Sequence, residues 1–168
     1  MNFVTKVTSA LILSMGLANA AIYDVDASHT NVGFTVKHMM ITNVNGNFAT
    51  YDANIDFDPA TKTFKTFSAT VETNSINTGI EKRDDHLRSE DFFASEKFPK
   101  MTFEMTSYKA DGDDGEMKGN LTIRGITKPV TLKVEDIGTI KDFKNQNRVG
   151  FSLKGKINRM DYDLKWNK

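Results

Sequence analysis

The sequence predicts an all-β protein: an antiparallel β-barrel or sandwich of about eight strands with one short helical insertion. Three observations favour this fold class. Apolar residues alternate with polar ones along most of the chain, which is typical of strands buried on one face. Turn-forming residues separate the alternating stretches. Within residues 74–103 a densely charged segment interrupts the alternation, as a helix inserted between two strands would.

Seven alternating stretches predict the strands, because residues two apart share one face of a sheet. Asp58–Pro59–Ala60–Thr61 and the segment 111–116 are predicted turns, and Gly125 is a predicted turn residue before a strand that starts at Pro129. The residues expected to share a face within each stretch are Val32, Phe34, Val36 and His38; Ala49, Tyr51, Ala53, Ile55 and Phe57; Phe67, Ala69, Val71 and Thr73; Met101, Phe103 and Met105; Met117, Gly119, Leu121 and Ile123; Val130, Leu132 and Val134; and Val149, Phe151, Leu153, Gly155 and Ile157.

The charged segment predicts a helix over residues 83–93 that covers the mouth of the barrel as a lid. Asp84 or Asp85 is expected to cap its first turn, where a carboxylate satisfies unpaired backbone N–H groups. Leu87 and one or both of the phenylalanines at 92 and 93 are expected to pack on the sheet. An ion network is expected on the solvent side, from Arg83, Asp85, Arg88 and Glu90.

Residues 1–20 predict a cleavable signal peptide. Lys6 supplies a positively charged start, and the apolar run at 10–18 is too short to span a membrane. Ala18–Asn19–Ala20 has the small-residue pattern of a cleavage site. The expected mature chain is therefore residues 21–168, exported and not anchored in the membrane.

Charge and cysteine content exclude several classes of function. The signal peptide holds one of the 22 basic residues and no acidic one, so its removal changes the formal net charge from 0 to −1. No basic stripe stands out, so nucleic-acid binding has little electrostatic support. Cysteine is absent, which excludes disulfides and a lipid anchor on cysteine.

Motifs for catalysis or metal binding are weak. His86 and Glu90 have the i,i+4 spacing of two metal ligands, but a metal site needs three or four. The segment at 111–116 fails as a calcium loop, because Glu116 and Thr122 occupy the positions that require Gly and Glu. We therefore predict no catalytic residue, metal or cofactor. An enzyme would have to use His29, His38, His86, Arg83 and Asp84.

Five segments carry a resemblance that spans most of the mature chain. They are DASHTNVGFTVKH (26–38), VNGNF (44–48), SINTGIEKRDDHLRSEDFFASEKFPKMTF (75–103), GNLTIRGITKPVTL (119–132) and INRMDYDLKWN (157–167). With these segments the chain resembles the YceI family of bacterial periplasmic proteins, lipocalin-like barrels that bind polyisoprenoid lipids. The resemblance implies a periplasmic location, an antiparallel barrel with a hydrophobic tunnel, a helical segment at its mouth, and no catalysis.

A long isoprenoid lipid is therefore the expected ligand, lined by the apolar faces of the strands and by the lid. The alternatives are a periplasmic interaction or stress protein whose barrel is filled by its own side chains, or a metal-dependent enzyme. Transient contact with a membrane is compatible with a lipid ligand. The expected lining residues are Phe34, Val36, Leu87, Phe92, Phe103, Met105, Leu121, Ile123, Leu132, Phe151 and Leu153.

Two departures from the family pattern lead to further expectations. Asp163 stands where family members usually have glycine, so the last turn is expected to differ. Family members usually continue after Trp166–Asn167 with one more strand, so this sequence is expected to lack the closing strand of the barrel. An open barrel has two unpaired edges, which favours a homodimer.

Overall fold

The computed structural model describes residues 21–38 and 42–166, so the predicted signal peptide lies outside the described residues. In chain order the strands and the helix are β1 (Ala21–Tyr23), β2 (Val32–His38), β3 (Thr42–Phe48), β4 (Tyr51–Asp58), β5 (Thr63–Glu72), β6 (Ile76–Asn77), α1 (Glu81–Arg88), β7 (Lys100–Asp111), β8 (Asp114–Ile123), β9 (Ile126–Lys141) and β10 (Asn147–Lys154). Single 3₁₀ turns lie at Thr73–Ser75 and Arg159–Tyr162. No helix in the described ranges is long and apolar enough to cross a membrane.

Seven antiparallel strands form one sheet in the order β1-β4-β5-β7-β8-β9-β10. The sheet curls into a nearly closed barrel, which confirms the predicted fold class. The two edge strands of the sheet, β1 and β10, approach each other: the side chain of Arg148 in β10 lies 4.0 Å from that of Asp26, which follows β1. β2 and β3 form a hairpin that pairs with β6 in a second, three-stranded sheet.

Strands that the sequence did not predict are short or poor in apolar residues. β3 contains three asparagines and a glycine, which are depleted in strands. It forms because β2 pairs with it along its whole length, with Val36 opposite Val44 and Phe34 opposite Gly46. Pairing with a neighbour therefore overrides local propensity here. The predicted third and seventh strands end earlier than expected, at Glu72 and Lys154.

The helix lies earlier than predicted, over Glu81–Arg88 instead of 83–93. Neither Asp84 nor Asp85 caps it: the N-cap is Ile80, which makes no side-chain cap hydrogen bond. Asp84 instead is buried within the first turn and accepts hydrogen bonds from the backbone N–H and the hydroxyl of Thr78. The helix ends at Ser89, whose backbone is extended and whose hydroxyl donates to the carbonyl of His86.

The hairpin turns agree with the sequence. Residues 59–62 connect β4 to β5, Gly112 and Asp113 connect β7 to β8, and Arg124 and Gly125 connect β8 to β9. Arg124 and Gly125 both have positive φ (52° and 73°), the pattern of a two-residue hairpin turn that matches the twist of the strands.

Three β-bulges change which residues face the interior. The β4–β5 pairing steps from Asp56–Thr66 to Phe57–Phe64 and so skips Lys65. The β7–β8 pairing skips Thr106, and β9 carries an extra residue at Asp136, whose φ is 58°. An inserted residue shifts the two-residue period by one. Each bulge therefore turns a residue of the opposite parity toward the core.

The described residues form three apolar clusters. The main cluster lies inside the seven-stranded sheet; its buried members are Ile55, Phe57, Phe64, Phe67, Phe103, Met117, Val134 and Ile137. The second lies under α1 and the β2–β3 hairpin, around Phe48, Val71 and Ile76. The third joins the end of β8 to the C-terminal segment, through Ile123, Tyr162 and Leu164.

Candidate ligand-binding face of the barrel

The inner face of the seven-stranded sheet is a continuous apolar surface. Ala53, Ala69, Phe103 and Leu121 stand directly opposite one another in a row across β4, β5, β7 and β8. Directly opposite residues have side chains on the same face. Parallel rows are formed by Met105, Gly119 and Val130 and by Tyr108, Met117 and Leu132.

The structure brings six of the eleven predicted lining residues together in the main cluster. Phe103 is buried, whereas the other five are only partly buried. The middle of the inner face therefore keeps apolar side chains within reach of a ligand. The six residues are Phe103, Met105, Leu121, Leu132, Phe151 and Leu153.

Four further predicted residues lie at the helix end of the barrel. Phe34 and Leu87 pack in the second cluster, against Phe48 and Ile76. Ile123 is buried in the third cluster, and Phe92 packs against it. The remaining one, Val36, lies in none of these clusters and is 42% exposed, because it sits on the part of the β2–β3 hairpin away from the second cluster.

An aromatic cluster closes the end of the barrel opposite the helix, which the sequence did not predict. Phe64 is its centre, with its ring centroid 4.8 Å from that of Phe57, 4.9 Å from Phe151 and 5.1 Å from Tyr108. Burial raises the pKa of the Tyr108 phenol, and the Asp114 carboxylate adds to this rise. An ion pair of Lys62 with Asp113 connects the two turns at this end.

The charged residues of α1 attach the helix to the segment that precedes it. Arg83 donates to the hydroxyl and carbonyl oxygens of Thr78, at 2.7 and 2.8 Å. Arg88 donates to the carbonyls of Asn74 and Ile76 and to the carboxylate of Asp85, at 2.9, 3.1 and 2.9 Å. Arg83 and Arg88 are therefore partly buried and hold the helix in place, contrary to the expectation that they lie on its solvent-facing side.

His86 does not pair with Glu90. Its Nε2 lies 2.8 Å from the carboxylate of Asp91, while Glu90 forms an ion pair with Lys97 at 3.0 Å. The predicted ion network is thus present in part: Arg88 pairs with Asp85 as expected, whereas Glu90 pairs with Lys97. In the described part of the chain no group of three or more His, Asp or Glu residues could hold a metal ion. His29 pairs with Asp26 at 3.0 Å.

The C-terminal segment packs on the helix end of the barrel. The indole of Trp166 contacts the rings of His86 and Phe92, with centroids 4.6 and 5.6 Å apart. Arg124 donates to the carbonyls of Glu90 and Phe92 and so holds the loop after α1. Asp163, where the family usually has glycine, has φ 60° and lies in the left-handed region that glycine favours.

A groove of about 380 Å³ separates the start of β9 from this C-terminal segment. Lys128 and Val130 lie on one side, Lys156 and Asn158 on the other. Tyr162, 2% exposed, lies at the groove, and its hydroxyl has no hydrogen-bond partner among the described residues. A second groove, of about 500 Å³, lies outside the barrel beside α1; it is lined by Ala49, Ser75, Ile76, Asn77, Gly79, Glu81, Asp84 and Arg88.

Comparison with known proteins gives consistent results. The model of the YceI-like domain family matches residues 23–168. Protein YceI of Escherichia coli O17:K52:H18 is 38% identical over 159 residues, which cover 94% of this chain and 83% of that protein. Protein YceI of Salmonella newport is 37% identical over 158 residues, which cover 93% and 83%.

Solved structures show the same fold. The YCEI protein of Campylobacter jejuni superposes with a TM-score of 0.71 at 47% identity, over 83% of this chain and 82% of that one. BcnA of Burkholderia cenocepacia superposes with a TM-score of 0.73 at 25% identity, over 86% and 87%. A polyisoprenoid-binding domain of Saccharophagus degradans superposes with a TM-score of 0.60 at 19% identity, over 88% and 83%, which shows a shared fold. Sequence and fold together establish that this chain belongs to the YceI family.

Proposed function

We propose that the protein is a periplasmic binding protein that holds a polyisoprenoid or a similar long-chain lipid against the inner face of its barrel, for transport, storage or sensing of that lipid. One observation carries the proposal. Both ends of the barrel are packed with buried side chains, whereas several apolar residues between them, among them Ala69, Met105 and Leu121, are only partly buried. An apolar face of this kind needs a cover, and a long apolar chain would supply it.

The residues in the middle of the face suit an irregular, branched tail. Ala53 and Ala69 have small side chains beside Phe103, so space is left along that row. Met105 is flexible and polarisable, which suits contact with methyl branches. Burial contributes about 0.8 kcal/mol per methylene, so a long tail could reach the practical limit of binding free energy, about 18–21 kcal/mol. The cost of ordering the tail and of removing it from a membrane offsets part of this gain. Slow release is therefore expected.

The ligand class follows from family membership. The YceI resemblance identified in the sequence implies a polyisoprenoid, and the partly buried apolar residues of the inner face support it for this chain. The proposal assigns no catalysis. Of the ionisable residues that an enzyme could use, Asp84 and Arg83 contact Thr78, His86 pairs with Asp91, and His29 pairs with Asp26.

The periplasmic location is supported by the signal-peptide pattern of residues 1–20. Amino-terminal sequencing of the exported protein is expected to begin at Ala21. A mature protein that retains Met1 in the cytoplasm would contradict this part of the proposal and leave lipid binding itself unaffected.

A second candidate function is favoured by the aromatic cluster. Phe57, Phe64, Met117 and Val134 are almost completely buried and fill part of the interior. If the remaining space were closed as well, the barrel would act as an interaction module without a ligand. Extraction of bound lipid from the purified protein separates the two functions.

Organic extraction of the purified protein, followed by mass spectrometry, tests lipid binding directly. Uptake of an isoprenoid quinone or a polyprenyl phosphate from vesicles tests it independently. Leu121→Arg places a charge on the inner face and should abolish both retention and uptake. Asn120→Arg is the matched control, because the neighbouring exposed side chain points to the outer face.

A lipid in the wild-type extract that disappears in Leu121→Arg and persists in Asn120→Arg supports the proposal. Circular dichroism of both variants shows whether each is folded. A wild-type protein that carries no lipid and takes up none from either vesicle would contradict the proposal and favour the filled barrel.

A further inference from the structure

The hairpin of β9 and β10 extends beyond the start of β8. The backbone N–H of Ile137 donates to the carbonyl of Asp113 in the β7–β8 turn, at 2.7 Å. After Ile137, β9 is paired with β10 alone in the described part of the chain, in register to the end of both strands. The turn at 142–146 therefore lies at the end of a two-stranded extension. We call residues 138–150 the hairpin arm.

The hairpin arm presents apolar side chains to solvent. Phe143, in its turn, is 95% exposed, more than any other large apolar side chain among the described residues. Ile140, three residues earlier, is 69% exposed. Burying a phenylalanine side chain is strongly favourable, and full exposure leaves that free energy unused. Two such side chains on one short arm therefore indicate a surface that a partner covers.

The turn that carries Phe143 is held in shape by Asp142. The carboxylate of Asp142 accepts hydrogen bonds from the backbone N–H groups of Lys144 and Gln146, at 2.8 and 2.9 Å. It also forms an ion pair with Arg148 at 3.0 Å, and the side chain of Asp142 is only 11% exposed. The backbone on both sides of Phe143 is thus fixed before any partner binds, which lowers the entropy cost of binding.

The hairpin arm also carries an excess of positive charge. It contains three basic residues and one acidic residue, whereas the expected mature chain has a formal net charge of −1. The acidic residue, Asp142, is paired with Arg148, so Lys141 and Lys144 supply the excess. Neither lysine forms an ion pair with another described residue, and the ammonium of Lys144 lies 5.9 Å from the centre of the Phe143 ring.

We propose that the hairpin arm docks on the surface of an anionic membrane, with Phe143 inserted among the lipid head groups and Lys141 and Lys144 bound to lipid phosphates. An aromatic ring beside lysines is the combination that favours the membrane–water interface. Lysines near an anionic lipid surface add electrostatic attraction. The inference goes beyond the proposed function, because it names the surface that the protein contacts and not the ligand that it holds.

The size of the hairpin arm favours a membrane over a protein partner. A stable protein interface buries about 800 Å² on each partner. A large aromatic side chain buries about 150–250 Å², so Phe143 and Ile140 supply only a fraction of that area. A membrane needs no matching surface, and it offers apolar chains and phosphates to a narrow tip at the same time.

Flotation with lipid vesicles tests the proposal on the mature protein, residues 21–168. One vesicle contains phosphatidylcholine alone, and the other contains phosphatidylcholine and phosphatidylglycerol. The wild type is expected to float with the anionic vesicles and much less with the neutral ones, and added salt should weaken binding. Phe143→Ala should lower the partition coefficient about tenfold or more, and Lys141→Gln and Lys144→Gln about fivefold each.

Matched variants make the same changes away from the hairpin arm. Ile80→Ala truncates an apolar side chain that is 53% exposed, just before α1. The double variant Lys109→Gln/Lys128→Gln removes two exposed lysines from β7 and β9. Both should bind vesicles as the wild type does, and circular dichroism shows whether each variant is folded.

Phe143→Trp locates the contact. It should bind at least as tightly as the wild type, and the emission of the added indole should move to shorter wavelength on anionic vesicles. The emission of Trp166, the single tryptophan of the sequence, is subtracted with the wild type.

Three results overturn the inference. They are a wild type that does not float with anionic vesicles, unchanged binding in Phe143→Ala, and an equal loss of binding in the Lys109→Gln/Lys128→Gln variant. The first would leave a protein partner or a second copy of this chain as the occupant of the hairpin arm. Lipid held inside the barrel is measured separately by extraction, so failure of this inference is distinguishable from failure of the proposed function.

Discussion

Gly119 and Phe103 lie so close on neighbouring strands that a Cβ at Gly119 would stand 2.4 Å from Cζ of the Phe103 ring. The backbone carbonyl of Glu104 would be only 2.5 Å away. Because part of this clash is with backbone, rotation of the ring alone cannot relieve it. Phe103 therefore keeps its position on the inner face only as long as residue 119 has no side chain.

Gly119→Ala is expected to destabilise the protein by about 1–3 kcal/mol, the usual cost of overpacking a core. It should also reduce lipid retention, because the displaced ring enters the space proposed for the tail. Urea unfolding and extraction measure the two effects. Gly138→Ala is the control, since no atom lies within 4 Å of its added Cβ. Equal stability of the two variants would contradict the packing described here.

Phe64→Ala should lower the free energy of unfolding by about 3–5 kcal/mol, because it removes the centre of the aromatic cluster. If the variant folds, it should accept a longer lipid tail than the wild type does. Phe143→Ala, at a position 95% exposed, is expected to change stability by less than about 0.5 kcal/mol. Chemical denaturation of both variants checks the contrast; similar values would contradict the role of Phe64 as the closed end.

Leu87→Ala should weaken stability or lipid retention more than His86→Ala. Leu87 packs in the cluster under the helix, and truncating a packed leucine costs about 2 kcal/mol or more. His86 contributes an ion pair with Asp91 whose side chains are 38% and 51% exposed, worth about 0.2–1 kcal/mol. Thermal unfolding gives the order. If His86→Ala instead abolished a measurable activity, the residue would have a chemical role.

Stability should decrease in acid, partly through Asp142. The backbone N–H of Gln146 lowers the pKa of this carboxyl against the effect of burial, and Arg148 and the N–H of Lys144 lower it further. Because the carboxyl group ionises more readily in the folded state, its ionised form stabilises the fold at pH values above the ordinary pKa of Asp. This stabilisation is lost as the pH falls below about 4.

Unfolding midpoints measured from pH 7 to pH 2 check this contribution. Asp142→Asn keeps the shape of the side chain but cannot titrate, so its midpoint should fall less between pH 5 and pH 2 than that of the wild type. Phe143→Ala, which removes an exposed side chain without an ionisable group, should leave the pH dependence unchanged. Identical acid profiles for the wild type and Asp142→Asn would contradict the prediction.

The sequence alone determined the fold class, the hairpin turns and most of the apolar strands, because a two-residue period follows directly from strand geometry. It also determined the family, through long segments such as 75–103. Ten of the eleven predicted lining residues lie in apolar clusters for the same reason. The periodicity of isolated strands could not determine which side chains pack together at each end of the barrel.

Only the tertiary structure decided the rest. The bulge at Lys65 lets both Phe64 and Phe67 point inward, and the bulge at Thr106 does the same for Met105 and Tyr108. An inserted residue cannot be recognised from the alternation of apolar and polar residues in the sequence. Thr78, six residues before Asp84, determines that this aspartate is buried instead of capping the helix. The row from Ala53 to Leu121 likewise depends on pairing across four strands, which no local pattern contains.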